Sequence, residues 1–363
     1  MRYSLVAAAM VFALTTTGCA TTPSTPTAAP TAEAPSPTPT SEPIADPAPQ
    51  APGGITCSDL LSDDEASTLV AESSLTDTAL SFRDFQLRQL GGLSCEWTNG
   101  LDRPDNNGNP AAFADVTITA LPEAEIEWTQ YKTQPGSEVS GDRQVNCYLK
   151  DNCEANAFIA GWWVTLYAQG PLATRSDAKN TTLVDTALDT IEATLTAAGP
   201  GTGDWQAPAE TLALGDGCGD VISEVRLAEI LGGDVSTVTA YDGGVYFLGN
   251  AVDDRLGITP CYWNLAGEDF GGITALPGGA WAADEPSLFS SSKKPVEIPG
   301  LVDSDSAFMW CETDYSTTCT LELAVGHNFM SLSAGDYSPT VAKLDPRELV
   351  KTIGAAIVEN VRS

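Results

Sequence analysis

Eight cysteines, arranged as two sets of four, restrict the fold of this chain more than any other feature of its sequence. The members of the two sets are Cys57, Cys95, Cys147 and Cys153, then Cys218, Cys261, Cys311 and Cys319. The first and second cysteines of the two sets lie 38 and 43 residues apart, and the second and third lie 52 and 50 apart. Because an even number of cysteines in an exported chain is typical of a disulfide framework, we expect four bridges.

The residues beside the cysteines correspond as well. Cys57-Ser-Asp-Leu-Leu-Ser in the first set matches Cys218-Gly-Asp-Val-Ile-Ser in the second. The second cysteine of each set opens a Cys-x-Trp motif, which ends at Trp97 and at Trp263. These motifs are short, but they occur in the same order in both sets.

A pentapeptide extends the correspondence. Ile-Thr-Ala-Leu-Pro occupies Ile118–Pro122 and occurs again at Ile273–Pro277. The sequence therefore predicts two tandem repeats. The expected divisions are repeat 1 over residues 55–198, a Gly- and Pro-containing linker over 199–212, and repeat 2 over 213–363.

Each repeat is predicted to be an α+β unit, with an antiparallel sheet flanked by an N-terminal and a C-terminal helix. In repeat 1 the N-terminal helix begins at Ser62-x-x-Glu65, which has the form of a capping box. The other predicted parts are a meander and a closing helix, at 144–169 and 182–197 in repeat 1 and at 308–334 and 345–361 in repeat 2. The fold class is thus α+β, stapled by disulfides.

The disulfide pairing is a prediction from the spacing of the cysteines. Four cysteines in one repeat allow three pairings. We expect the close cysteines to bridge a hairpin and the distant ones to tie the first helix to the sheet. The expected bridges are Cys57–Cys95, Cys147–Cys153, Cys218–Cys261 and Cys311–Cys319.

The N-terminus predicts export and lipidation. A short apolar run over residues 5–14 is too short to cross a bilayer but is typical of a signal peptide. Small residues precede Cys19, as in a bacterial lipobox, although Thr16 stands where Leu is usual. We expect residues 1–19 to be a lipoprotein signal peptide, with a lipid on Cys19. Residues 20–54, rich in Pro, Thr, Ser and Ala, predict a disordered tether.

The repeats resemble a group of actinobacterial surface lipoproteins. In that group a Pro/Thr/Ser-rich tether carries a small domain that opens with Cys and a D-L-L-type helix, followed by a C-x-W strand, a sheet and a terminal helix. Cys57-Ser-Asp-Leu-Leu and Cys218-Gly-Asp-Val-Ile carry the resemblance, together with Trp97 and Trp263. It implies a place on the outer face of the cell membrane and an α+β fold. It implies no activity, and the group usually carries one such domain without a hairpin bridge.

Composition excludes several classes of function. The chain has 17 Lys and Arg against 49 Asp and Glu, a net charge of −32, which repels nucleic acid. The acidity can serve solubility or attract cations. Because His327 is the one histidine and the thiols are expected to be oxidised, no His/Cys metal site is predicted, and no cofactor. No catalytic residue is identified.

One strand face of repeat 1 offers a candidate binding surface. Phe158, Trp163 and Tyr167 lie on the face opposite the apolar one that faces the helices. This aromatic face needs a cover or a partner. One interpretation is contact with repeat 2 or with a helix that carries Trp128 and Tyr131. The other is a surface for a ligand or partner.

The sequence therefore favours a non-enzymatic, lipid-anchored, extracytoplasmic binding or accessory protein. Its expected partners are the membrane, through the lipid, and an envelope protein or a small ligand. Either the aromatic face or the cleft between the repeats would be the binding surface. Two alternatives stay open, a cell-envelope hydrolase that uses an Asp/Glu pair and an extracellular signalling input domain.

Overall fold

The computed structural model describes most of the chain from residue 48 to the end. The described ranges are 48–72, 76–77, 81–101, 113–134, 139, 141–148, 152–170, 176–199, 205–215, 217–239, 246–258, 260–285, 292–312, 317–335 and 345–363. The fold is α+β, with two antiparallel sheets and four disulfides. The predicted signal peptide, Cys19 and residues 20–47 of the predicted tether lie outside the described residues.

The first sheet belongs to the first half of the chain. Its described strands are β1 (Thr76–Asp77), β2 (Leu93–Thr98), β3 (Asp115–Leu121), β4 (Arg143–Tyr148), β5 (Asn152–Ile159) and β6 (Trp162–Gln169). They pair antiparallel in the order β1-β2-β3-β6-β5-β4. The first occurrence of the repeated pentapeptide therefore ends β3, next to the central strand β6.

The second sheet belongs to the second half. Its described strands are β7 (Val235–Thr239), β8 (Cys261–Leu265), β9 (Glu268–Leu276), β10 (Lys294–Pro295), β11 (Ser306–Glu312), β12 (Thr318–Val325) and β13 (Asn328–Gly335). They pair antiparallel in the order β10-β11-β12-β13-β9-β8-β7. Read from the other edge, this is the order of the first sheet with β10 added. The second pentapeptide again lies at the end of a strand, β9, which pairs with the last strand of its sheet, β13.

Helices cover the sheets. The described α-helices are α1 (Cys57–Leu60), α2 (Asp63–Val70), α3 (Phe82–Gln89), α4 (Glu125–Thr133), α5 (Asp177–Ala198), α6 (Cys218–Val221), α7 (Glu224–Leu231), α8 (Leu248–Leu256) and α9 (Pro346–Val361). Helix α2 begins at the predicted capping box, where Ser62 Oγ accepts from the Glu65 amide. Helix α7 ends at Gly232, whose left-handed conformation suits glycine.

Two apolar cores lie between the sheets and the long helices. In the first, Ile118, Val164 and Leu166 pack with Leu188 and Ile191 of α5, all fully buried. In the second, buried residues of β12 and β13 pack with α9, through side chains that include Leu323, Leu332, Ile353 and Ile357. Alternation along the strands and the three- to four-residue spacing along the helices place these side chains on facing surfaces.

All four disulfides have the predicted pairing. Cys57–Cys95 and Cys218–Cys261 tie the short helices α1 and α6 to the strands that carry the Cys-x-Trp motifs. Cys147–Cys153 and Cys311–Cys319 join directly opposed residues of neighbouring strands, so each closes a hairpin. Trp97 and Trp263 are fully buried in the two cores beside the longer bridges.

Helices α3 and α8, which the sequence analysis did not predict, join the two halves. Helix α3 of the first half packs on the outer face of the second sheet, where Phe85 contacts Phe329 edge-on with ring centroids 6.0 Å apart. Helix α8 of the second half packs on the outer face of the first sheet, through Leu248 and Val252 beside Trp163. Each half thus places one helix on the sheet of the other half.

Two hydrogen bonds at the pentapeptides also join the halves reciprocally. Gln89, six residues before Cys95, donates from Nε2 to the carbonyl of Pro277 at 2.8 Å. Arg255, six residues before Cys261, donates from a guanidinium nitrogen to the carbonyl of Pro122 at 2.6 Å. Each half therefore binds the end of the other half's Ile-Thr-Ala-Leu-Pro segment.

Parts of two segments outside the predicted repeats contact the folded body. The last residues of the predicted tether lie on the folded body, since Pro49 is buried, Ala48 packs on the Phe85 and Phe329 cluster, and Pro52–Gly54 form a 3-10 turn. The predicted linker is also partly packed: Leu212 donates its amide to the carbonyl of Gly326 at 3.0 Å. Residues at the end of the predicted tether and of the predicted linker therefore contact the folded body.

Candidate functional site

A cleft of about 390 Å³ opens between the two halves, on the outer face of the first sheet. Its lining comes from both halves: Arg83, Leu87, Ser94, Thr119, Tyr131, Glu154, Asn156, Thr165, Leu166 and Tyr167 of the first, and Phe247, Leu248, Gly249 and Val252 of the second. This volume falls within the range typical of small-molecule sites. The cleft between the repeats was one of the two surfaces expected from the sequence.

The floor of the cleft is a row of polar side chains on four neighbouring strands. Ser94 of β2 lies opposite Thr119 of β3, which lies opposite Thr165 of β6, which lies opposite Asn156 of β5. Strand alternation turns these residues outward, away from the apolar core. Their hydroxyls and amide are donors and acceptors, so the floor suits a polar ligand.

Aromatic side chains form the walls. Tyr131 of α4 packs on Trp163 with ring centroids 5.0 Å apart, and Tyr167 stands on β6 next to the floor row. From the second half, Phe247 at the start of α8 keeps 56% of its surface exposed. Exposure of so large an apolar side chain at the mouth of a cleft leaves it available for contact with a ligand.

Arg83, the one arginine among the described lining residues, is bound by the second half. Arg83 donates to Asp253 Oδ1 at 2.8 Å and to the carbonyl of Gly249 at 3.0 Å. Burial raises the pKa of Asp253, and the Arg83 guanidinium opposes this shift. The ion pair joins α3 to α8 and leaves the Arg83 charge compensated.

Glu154, the one carboxylate among the described residues of the lining, stands among tyrosines. It accepts from Tyr148 Oη at 3.2 Å and from Asn156 Nδ2 at 3.3 Å, and it lies directly opposite Tyr167 across the β5–β6 pair. Burial raises the pKa of Tyr131, and the charge of Glu154 raises it further. The pKa of Tyr148 is raised by the same two causes, in the same order.

The structure separates the three residues of the predicted aromatic surface. Trp163 is fully buried under α4 and α8, with ring centroids 5.8 Å from Trp128 and 6.3 Å from Tyr246, and Phe158 stacks on Trp128 at 6.2 Å. Trp163 therefore lies under α4 and α8, and half-buried Phe158 lies against α4, as in the first of the two interpretations. Tyr167 is half-buried and lines the cleft.

A second cavity, of about 290 Å³, lies on the outer face of the second sheet. Its lining is Cys261, Tyr262, Asp269, Gly271, Gly272, Ile273, Thr274, Ser331 and Ser333. Ser331 and Ser333 stand where the first half has Thr165 and Tyr167, counted from the last cysteine of each set. Tyr262 is the one aromatic residue among the described residues of this lining, and all of them belong to the second half.

Other candidate groups are not brought together. His327 lies in the turn between β12 and β13 with φ of 68°. Lys293 forms a buried ion pair with Glu322 at 2.5 Å, which makes it a structural group. Within the described ranges no cluster of three His, Cys, Asp or Glu residues is arranged to hold a metal, and no helix is both long and apolar enough to span a membrane.

Helices α3 and α8, which build part of the cleft, were not predicted from the sequence, although a signal was present. In α8, Leu248, Ala251, Val252 and Leu256 recur at the spacing of one helical face, and Gly257 follows as a left-handed cap. Each of α3 and α8 comes before a Cys-x-Trp strand. The spacing alone could have predicted both helices, but not that each packs on the other half.

Comparison of the chain with protein-family models, with curated proteins and with solved structures gives no match.

Proposed function

We propose that this chain is a lipid-anchored, extracytoplasmic binding protein of the bacterial cell envelope, and that the cleft between its halves is the binding site. The observation that carries the proposal is the lining of the cleft, which combines a polar floor with aromatic walls and comes from both halves. Sites for small molecules are concave, largely apolar and equipped with a few directed polar groups. The proposed lipid on Cys19 would hold this site at the membrane.

The proposed architecture is a duplicated module whose two copies have diverged. Three observations support it: the matching order of strands, the matching pairs of disulfides, and the reciprocal hydrogen bonds of Gln89 and Arg255. In this proposal the first copy keeps an open outer face for a ligand. The second copy contributes the wall that carries Phe247.

A binding role suits the cleft better than hydrolysis does. Glycoside hydrolysis uses two carboxylates about 5–10 Å apart, and among the described residues of the cleft lining Glu154 is the one carboxylate. The neighbouring Asp253 is engaged with Arg83. We therefore propose a non-enzymatic function, as an envelope binding or accessory protein.

The test is a substitution that fills the floor. Thr165→Trp places a large ring at the centre of the polar row, and Ser331→Trp makes the corresponding change on the second sheet. Full-length wild type and both variants are screened by saturation-transfer NMR against a set of sugars, amino acids and alkylammonium ions. We expect fragments that bind wild type and the Ser331→Trp variant to lose binding to the Thr165→Trp variant.

Two results would contradict the proposed site. One is a set of bound fragments that Thr165→Trp leaves unchanged. The other is an equal loss in both variants, which would point to the second sheet or to general damage. Thermal unfolding of each variant, followed by circular dichroism, checks that loss of binding is not loss of fold.

A further inference from the structure

We infer that the cleft selects an organic cation, an alkylammonium head group held by Glu154 and by the aromatic rings of Tyr131, Tyr167 and Phe247. This inference rests on the proposed binding function and adds the chemical class of the ligand to it. Three features of the cleft carry it: the charge of Glu154, the neutral groups around that charge, and the aromatic walls.

Among the described residues, Glu154 brings a negative charge to the cleft without a cationic partner. Its side chain is exposed, and its two described hydrogen bonds come from the neutral donors Tyr148 and Asn156. None of the ion pairs formed between described residues includes Glu154. Arg83, across the cleft, is paired with Asp253. The local balance therefore favours a cation over an anion.

The aromatic walls favour a cation that carries alkyl groups. The face of an aromatic ring is negative, so it attracts an ammonium group within about 6 Å of the ring centre. Tyr131 and Tyr167 are half-buried and Phe247 is exposed, so their rings are partly available to a ligand. A small inorganic ion keeps its water and gains little from such rings. A methylated ammonium has a weaker hydration shell and an apolar surface that matches them.

The second half provides an internal contrast. Glu154 corresponds to Thr320 and Tyr167 to Ser333, so the second sheet lacks both groups at these positions. The carboxylate and the ring that line its cavity, Asp269 and Tyr262, lie on β9 and β8 instead. The whole chain also attracts cations, because its net charge is −32. That field acts on every cation alike, whereas Glu154 and the rings act at one place and can select for shape.

The test compares a cation with its neutral isostere. Choline and 3,3-dimethylbutan-1-ol have the same shape and differ in the charge of the central atom. Each is titrated into full-length, detergent-solubilised protein by isothermal titration calorimetry. We expect wild type to bind choline at least about tenfold more tightly than the alcohol, since a charge contact and cation–π contacts are lost together in the alcohol.

The variant Glu154→Gln keeps the shape and the hydrogen-bonding oxygen of the side chain and removes its charge. We expect it to lose most of the tenfold preference, while its affinity for the alcohol stays the same. The matched control is Glu210→Gln, which removes one charge from an exposed carboxylate outside the cleft lining. We expect Glu210→Gln to keep the preference. This control separates the local effect of Glu154 from the overall charge of the chain.

Several results would overturn the inference: no choline binding, equal affinity for choline and the alcohol, or a preference that survives Glu154→Gln. In each of these cases the proposed binding function stands if other fragments bind wild type and are lost on Thr165→Trp. If Thr165→Trp leaves all fragment binding unchanged, the proposed function fails with the inference. The two failures are thus distinguishable.

Discussion

The burial of Trp163 depends on side chains of α4 and of the second half. Its side chain is fully buried, contacts Trp128, Tyr131 and Tyr246, and donates from Nε1 to Asn156 Oδ1 at 3.3 Å. It therefore connects the apolar junction of the two halves to the polar floor of the cleft. Tyr167, four residues further along β6 on the same face, lines the cleft and keeps part of its surface exposed.

This difference predicts unequal effects on stability. Replacing Trp163 with Ala leaves a large cavity, and we expect the free energy of unfolding to fall by about 3–5 kcal/mol. Replacing Tyr167 with Ser removes a half-exposed ring, and we expect a loss of about 1 kcal/mol. Urea unfolding followed by circular dichroism measures both. Equal, small losses would mean that Trp163 is exposed in solution.

At the scale of elements, the exchange of α3 and α8 determines how the halves hold together. Each helix places apolar side chains on the sheet of the other half, and ion pairs border the contact at Arg83–Asp253 and Arg88–Glu285. The contact is thus apolar in the middle and charged at its edge. Such an arrangement is typical of stable interfaces.

We therefore expect the halves to remain associated without a covalent link between them. A protease site inserted at residues 201–203 allows the purified protein to be cut between the halves. Size-exclusion chromatography should then give one peak that contains both pieces. The same cut in a Phe85→Asp variant should release them, because a charge would enter the apolar cluster. Separation of the unmodified pieces at micromolar concentration would contradict the interlocked arrangement.

At the scale of the whole molecule, the features that depend on cysteine spacing and on helical periodicity were predicted best from the sequence. The α+β class, the four disulfide pairs and the long helices could be predicted because cysteine spacing and helical periodicity are local signals. The cleft could be named as the space between the halves, but its lining could not be predicted. Whether Trp163 faces a partner or another part of the chain depends on contacts between residues about 90 positions apart, such as those with Val252.

The lipid anchor is a whole-molecule prediction that mass spectrometry can check. The protein is purified from the membrane fraction of cells that export it, and the mass of its N-terminal peptide is measured. We expect the chain to begin at Cys19 with a diacylglyceryl group on the thiol. A Cys19→Ser variant should lose the lipid and leave the membrane fraction after washing. An unmodified N-terminus that still bears Met1 would refute the anchor.

The hydrogen bonds from Gln89 to Pro277 and from Arg255 to Pro122 bear on how the two halves can change over generations. A substitution that displaces either proline carbonyl disturbs a donor in the opposite half, so the pentapeptide in one half is tied to a side chain in the other. At Thr165 and Ser331, on the parts of the outer faces that line the two cavities, no described hydrogen bond joins the halves. Substitutions are therefore tolerated where the halves face solvent with different side chains, and are disfavoured where the halves contact each other.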